Sequence, residues 1–193
     1  MLIKRILNRS PQSTPSAAHP TPTAPTAAAT GAMVTAADVG LLLLRLTFGL
    51  YMAAHGAQKV FGLFGGNGLT ATGKAFESLG YRPGKLFALI GGLSELFGGL
   101  GLALGLLTPL AAAALIGVMI NAMVTVTAAH GLWETDGGVE YNVAIAVAAL
   151  AVAAIGPGRL AADRFFPWGR GGWAEAAVAL GLGGIGAAIS LSV

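Results

Sequence analysis

The chain has 193 residues, of which 55% are hydrophobic and 10% are charged, and it contains no cysteine. Because a soluble domain carries about 25% charged residues, this composition excludes a water-exposed globule and favours a membrane protein. The net charge of +3 comes without a cluster of Lys and Arg, which argues against nucleic-acid binding. The lack of cysteine excludes disulfides and thiolate metal sites within the chain.

The N-terminal part of the chain has the composition of a tail. Residues 1–9 are short and basic, and residues 10–32 hold five of the nine prolines among Ala, Ser and Thr. Such a composition favours a disordered, solvated segment over a packed core. We therefore predict a disordered tail over 1–35, a membrane domain over 36–163 and a C-terminal extension over 164–193.

Four apolar segments follow the tail, and each is near the roughly 20 residues that a helix needs to span the hydrocarbon layer. They cover residues 37–60, 84–107, 108–130 and 139–156. A further apolar segment at 173–193, rich in Ala and Gly, is a candidate fifth span. The predicted fold class is an all-α membrane protein, a four-helix transmembrane bundle with this candidate fifth helix.

The distribution of basic residues predicts the orientation, because cytoplasmic flanks of membrane helices are enriched in Lys and Arg. Residues 1–9 and residues 157–172 carry three basic residues each, and both are expected in the cytoplasm. The first connecting loop argues the other way through its basic residues Lys59, Lys74, Arg82 and Lys85. The sum of these contributions places the N-terminus in the cytoplasm.

Polar residues of the first apolar segment share one face. At 100° per residue, Arg45, His55 and Lys59 fall within one sector of the helix. A polar stripe on a membrane helix normally faces protein or a water-filled cavity. An unpaired Arg45 inside the layer would cost about 2.5–3.5 kcal/mol, so it needs a partner. For Lys59, a position at the interface as a simple anchor is an equal alternative.

The second apolar segment supplies a candidate partner for these bases. Glu95 lies near its middle with glycines on both flanks, so another helix can approach closely there. Its carboxylate either pairs with Arg45, His55 or Lys59, or stays protonated. The alternative reading is an ion pair that only fixes the helix register.

The remaining polar residues lie in the third and fourth segments and near the mouth of the bundle. Asn121 shares a helix face with Thr125, a placement that is more typical of hydrogen bonding between helices than of ligand contact. Several polar residues are expected at one end of the bundle, where they would line a cavity mouth. The candidate binding residues are Arg45, Lys59, Gln58, Asn121, His130, Glu140, Tyr141 and Asn142, and the candidate proton-handling residues are Glu95 and His55.

Several stretches in this order resemble the DoxX family of small bacterial membrane proteins. They read "LLLRLTFGLYMAAHGAQKVFG", "FESLG", "LSELFGGLGLALGLLTPLAA", "EYN" and "GPGRLAAD", and the likeness covers roughly residues 38–163. In the last stretch Ala161 stands where the family often has serine, while Asp163 is kept. The tail and the candidate fifth helix lie outside the resemblance.

The resemblance implies a four-helix bundle of the bacterial inner membrane. Members are often labelled oxidoreductases, and one relative is the small subunit of a thiosulfate:quinone oxidoreductase. A quinone-linked role with a redox partner protein is therefore implied, with Glu95 and His55 handling protons and Arg45 and Lys59 stabilising negative charge. The chain shows no flavin, haem or metal motif. From the residues alone, a carrier of a small lipophilic or anionic molecule and a membrane scaffold remain open.

Overall fold

The computed structural model describes residues 34–192, so the predicted tail lies outside it apart from its last two residues. Between these bounds the chain forms helices and no strand, and the all-α prediction is confirmed. The α-helices are α1 (Ala36–Phe61), α2 (Gly68–Ser78), α3 (Gly84–Leu104), α4 (Thr108–Ala122), α5 (Glu140–Ile155) and α6 (Trp173–Leu191). A π-helical turn (Met123–Thr127) and a 3-10 turn (Ala128–His130) extend α4, and short 3-10 turns lie at Glu134–Asp136, Ala162–Phe165 and Pro167–Arg170.

Local signals in the sequence account for the ends of α1. Thr35 accepts a hydrogen bond from the backbone N–H of Asp38, and the Asp38 carboxylate accepts one from the N–H of Thr35. This capping box satisfies two N–H groups that a helix start leaves without partners. At the other end, Gly62 takes the left-handed conformation that commonly terminates a helix.

Helices α1 and α3 pack backbone against backbone. A Cβ atom at Gly49 would lie 2.6 Å from the carbonyl oxygen of Gly99, which is closer than any side chain tolerates. Further along α1, Gly56 lies against Gly92 in the same way. Small residues allow this approach in membrane helices, where dispersion and close packing replace the hydrophobic effect as the source of association.

The core lies where α1, α3, α4, α5 and α6 meet. Leu102, Leu115 and Ile145 are fully buried there, with Met52 and Val152 almost so. Alanine fills most of the remaining core positions on α4 and α5. Because these side chains are short, the helices stay close together, and any polar residue between them needs a partner inside the bundle.

Four helical segments are long and apolar enough to cross a membrane, although they are not the four that the sequence predicted. They are Ala36–Phe61, Gly84–Leu104, Thr108–His130 and Trp173–Leu191. The candidate fifth span is thus one of the four, and it packs mainly against α4. The predicted fourth span is the 16-residue helix α5. Its length of roughly 24 Å is below the roughly 30 Å of the hydrocarbon layer.

Candidate binding site between the helices

A cavity of about 440 Å³ lies at one end of the bundle, within the range of about 300–1,000 Å³ that ligand pockets occupy. Its walls come from α3, α4, the π-helical turn and α6, together with Lys59 of α1 and the connection between α2 and α3. Most of the lining is apolar or aromatic. A few polar side chains converge on it, and these decide what the cavity can bind.

An ion pair between Lys59 and Glu95 forms one side of this cavity. The ammonium nitrogen of Lys59 lies 2.5 Å from both carboxylate oxygens of Glu95. The Lys59 side chain is 31% exposed and the Glu95 side chain only 4%. Of the partners considered for Glu95, the structure therefore selects Lys59. The glycine contacts between α1 and α3 bring the two side chains within reach.

A hydrogen-bonded cluster of three polar side chains forms another part of the cavity wall. Asn121 on α4 accepts hydrogen bonds of 2.9 Å at Oδ1 from the hydroxyl of Tyr81 and from the hydroxyl of Ser190. Its Nδ2 donates a 2.9 Å bond to the carbonyl oxygen of Gly117. The cluster joins the α2–α3 connection, α4 and α6, so Asn121 does bond between helices as its residue type suggested.

The π-helical turn Met123–Thr127 contributes two threonines to the cavity lining. Thr125 donates a hydrogen bond of 2.9 Å to the carbonyl oxygen of Asn121, and Thr127 donates one of 2.9 Å to the side-chain oxygen of Asn142. Single π-helical turns inside α-helices occur frequently at functional sites. Here the turn directs hydroxyl groups toward a cavity and toward α5.

Comparison with protein families matches residues 40–128 with the model of the DoxX family, and this match supports the assignment of the chain to that family. The resemblance seen in the sequence is confirmed, and the chain is a multi-pass membrane protein. Comparison with curated proteins and with solved structures gave no match. The DoxX match contains Lys59, Glu95 and Asn121, but it ends before α5 and α6.

Arg45 lies at the other end of the bundle, away from the cavity. Its guanidinium donates to the carbonyl oxygens of Pro157 and Leu160, the latter at 2.7 Å, whereas it was expected to face Glu95. Arg45 and Lys59 are fourteen residues apart, or about 21 Å along the helix axis. A single carboxylate cannot pair with both, and Glu95 is level with Lys59.

Asp163, noted in the family resemblance, completes the end of the bundle that holds Arg45. It is fully buried, and its carboxylate accepts hydrogen bonds from the backbone N–H groups of Leu107 (2.9 Å) and Thr108 (2.6 Å). It thus caps the start of α4, where N–H groups lack helical partners and a negative charge is favoured. At this end of the bundle, the side chains of Arg45 and Asp163 therefore hydrogen-bond to backbone groups.

Five of the other candidate residues lie outside the cavity lining. His55 is exposed and packs edge-on against Tyr141, with ring centroids 6.3 Å apart. Gln58 donates to the carbonyl oxygen of Phe64 at 3.2 Å. The Nδ1 atom of His130 lies 3.0 Å from the carbonyl oxygen of Val126 within its own helical segment.

The last of those five, Glu140, accepts a hydrogen bond of 3.1 Å from the backbone N–H of Glu134. Asn142 does not line the cavity either, but its side-chain oxygen accepts a hydrogen bond from Thr127, which does. Of the ten candidate residues, the cavity therefore brings together three, namely Lys59, Glu95 and Asn121.

Sequence reasoning missed Tyr81 and Ser190, which complete the Asn121 cluster. Tyr81 is 7% exposed and lies in the connection between α2 and α3, where its ring packs between Phe76 and Phe87. Because Tyr81 lies in a loop, helical periodicity could not predict which way its side chain faces. Ser190 lies in the last turn of the C-terminal helix, and its alignment with Asn121 follows only from the packing of α6 on α4.

Proposed function

We propose that this DoxX protein binds a quinone, or a similar lipophilic molecule with a polar ring, as a component of a membrane redox system. The observation that carries the proposal is the Lys59–Glu95 ion pair at the wall of a mostly apolar cavity. Polar and ionisable residues inside a membrane are expensive, and they mark substrate and proton pathways. An ion pair that served only to set the helix register would not need a cavity beside it.

The size and lining of the cavity favour a ring-shaped head group. Phe76, Tyr81 and Phe87 pack in sequence along one side as tilted ring pairs, with centroids 5.4 Å and 5.2 Å apart, and all three line the cavity. Aromatic faces pack well against another flat ring. The apolar remainder of the lining suits a ring that arrives from the lipid with an aliphatic tail.

The ion pair supplies the chemical functions in this proposal. The ammonium group of Lys59 has three N–H donors and uses two of them on Glu95. The third would bind a ligand oxygen and stabilise negative charge on it. Glu95 would exchange a proton with the ligand. His55, exposed one helical turn before Lys59, would pass that proton to the aqueous phase.

The proposal includes a location and a partner. We place the protein in a bacterial inner membrane with a cytoplasmic N-terminus. The backbone N–H of Arg159 donates a 2.9 Å hydrogen bond to Asp38, so the basic segment after α5 lies at the same end of the bundle as the start of α1. The same end would then be cytoplasmic. Electrons would enter or leave through a partner protein, because the proposed ligand is the redox group.

Quinone binding in nanodiscs tests this proposal. Titration with decylubiquinone is to be followed by calorimetry against empty nanodiscs for the wild type, Lys59→Met and Glu95→Gln. Lys74→Met, at an exposed position on α2, is the matched control. We expect the wild type and Lys74→Met to bind alike and Lys59→Met to bind about tenfold more weakly, since a hydrogen bond to a charged group is lost.

Two results would contradict the proposal in different ways. If Lys59→Met binds decylubiquinone with the affinity of the wild type, the ion pair has no role in binding. If the wild type binds no quinone while mass spectrometry finds another lipophilic molecule bound to the purified protein, the carrier function replaces the redox function.

A further inference from the structure

The Asn121 cluster fixes the direction of every hydrogen bond at its side of the cavity. The Nδ2 atom of Asn121 contacts the carbonyl oxygen of Gly117, and a carbonyl can only accept. The amide orientation therefore follows from the hydrogen-bond network. The Oδ1 atom must be the one that faces Tyr81 and Ser190, so Asn121 presents an acceptor to both hydroxyls.

Each of the two hydroxyl groups has a single proton, and that proton is already used. Tyr81 donates its proton to Asn121. Ser190 donates to Asn121 or to the carbonyl oxygen of Ala187 at 3.1 Å. In both side chains only lone pairs remain for a ligand. The protons of Thr125 and Thr127 are likewise directed to protein oxygens.

The donors of the cavity lie on its α1 and α3 side. Lys59 keeps one N–H beyond the two that bond Glu95. Ser94, next to Glu95 on α3, also lines the cavity, and its hydroxyl has no protein partner among the hydrogen bonds of residues 34–192. The cavity thus has a donor side, formed by α1 and α3, and an acceptor side, formed by the hydroxyl oxygens of Tyr81 and Ser190.

We infer that the cavity selects a lipophilic ligand whose polar ring carries a hydroxyl donor for the Tyr81–Ser190 side and an oxygen acceptor for Lys59. This inference rests on the proposed binding function of the cavity and specifies the ligand class. The dihydroxy, reduced forms of quinones belong to that class, and an alkylphenol carries its hydroxyl donor. A ring with only acceptor oxygens leaves the acceptor side unpaired, so it should bind about tenfold more weakly than an analogue that has the donor.

The test compares two ligands that differ only in the donor, 4-heptylphenol and its methyl ether. Their dissociation constants are measured in nanodiscs, with decylubiquinone titrated in parallel. We expect the wild type to bind the phenol about tenfold more tightly than the ether. Asn121→Leu removes the acceptor of the two hydroxyls, so their protons are free to turn toward the ligand. The phenol and the ether should then bind with about equal affinity.

A second variant keeps the test valid if Asn121→Leu does not fold. Ser190→Ala deletes one acceptor on α6 and leaves Tyr81 bonded to Asn121, so the preference for the phenol should decrease without a reversal. The ratio of the two dissociation constants is the decisive readout, because a purely structural defect weakens both ligands equally.

Each outcome bears on one proposal or on both. If phenol and ether bind the wild type equally, the inference is overturned, and the quinone proposal stands as long as decylubiquinone binds. If the phenol is preferred but decylubiquinone does not bind, the ligand class is supported and the redox function is overturned. If none of the three binds, the cavity is not a ligand site and both proposals are overturned.

Discussion

The guanidinium of Arg45 donates a hydrogen bond of 2.7 Å to the carbonyl oxygen of Leu160, so that the first helix is joined to the segment after α5. Arg45 is 1% exposed, and its second bond goes to Pro157. Buried carbonyl groups of an irregular segment need donors, and Arg45 supplies two from one side chain. The relationship explains why an arginine is tolerated within this bundle.

Replacement of Arg45 should therefore affect folding more than ligand binding. In Arg45→Met the carbonyls of Pro157 and Leu160 lose their donor, at a cost of about 1–3 kcal/mol each. Arg45→Lys retains the charge but lacks the planar fork and should be intermediate. Thermal unfolding in detergent measures the order. A melting temperature of Arg45→Met equal to that of the wild type would contradict this assignment.

The cap that Asp163 forms on α4 leads to a second prediction. Asp163→Ala removes the acceptor for Leu107 and Thr108, and we expect a loss of about 1–2 kcal/mol in the free energy of unfolding. Asp163→Asn keeps one acceptor oxygen and should lose less. Both values come from unfolding curves. The contrary outcome is an equal loss in the two variants, which would mean that the acceptor oxygen retained by asparagine contributes nothing at this position.

The Lys59–Glu95 pair should show an asymmetric response. In Lys59→Met a deeply buried carboxylate loses its partner, whereas in Glu95→Gln the remaining ammonium group is on a side chain that is 31% exposed. An uncompensated buried charge is the costlier defect, so Lys59→Met should unfold at the lower temperature. The double variant should recover part of that loss, as a double-mutant cycle would show. Additive losses would indicate that the two groups do not interact.

The contact of α6 with α4 can be tested with two neighbouring glycines. A Cβ atom at Gly183 would lie 2.8 Å from the carbonyl oxygen of Ala113, while one at Gly184 would have no neighbour within 4 Å. Gly183→Ala should therefore separate α6 from α4 and weaken ligand binding. Gly184→Ala is the control and should be neutral or gain up to about 1 kcal/mol in helix propensity. Stability and binding are measured for both, and equal behaviour would refute the packing argument.

Gly186 offers a way to fill the cavity without disturbing the helices. It lines the cavity, and a Cβ atom there would meet nothing within 4 Å. In Gly186→Leu a larger side chain should occupy ligand space, so binding of decylubiquinone should be lost while the melting temperature is retained. Gly184→Leu is the matched control. Undiminished binding by Gly186→Leu would show that the ligand lies elsewhere.

The sequence predicted the features of this protein that depend on periodicity and composition. The apolar segments gave the helices, and the polar face of α1 indicated that Arg45 points into the bundle, while for Lys59 an interfacial anchor was an equal alternative. The glycines around Glu95 indicated close helix contact, which the structure places between α1 and α3. These features follow from residue types at fixed spacing along one helix.

Features that depend on the alignment of two helices could not be predicted in this way. Whether Glu95 meets Arg45 or Lys59 depends on how far α3 is shifted along the axis of α1. The sequence pattern of one helix does not determine that shift. The bonds from Arg45 go to backbone carbonyls, which are present at every residue and leave no trace in the sequence. The partnership of Tyr81, Asn121 and Ser190 joins three elements that are 40 and 69 residues apart along the chain.

The position of Ser190 on the cavity wall has a consequence for the whole family. The part of the chain that matches the DoxX model ends at residue 128, yet α6 contributes Ser190, Gly186 and Gly183 to the cavity. The charged pair lies within the matched residues, while part of the wall of the proposed ligand site lies outside them. Two proteins with the same DoxX domain can therefore differ in what they bind, and an exchange of C-terminal helices between them should transfer the preference.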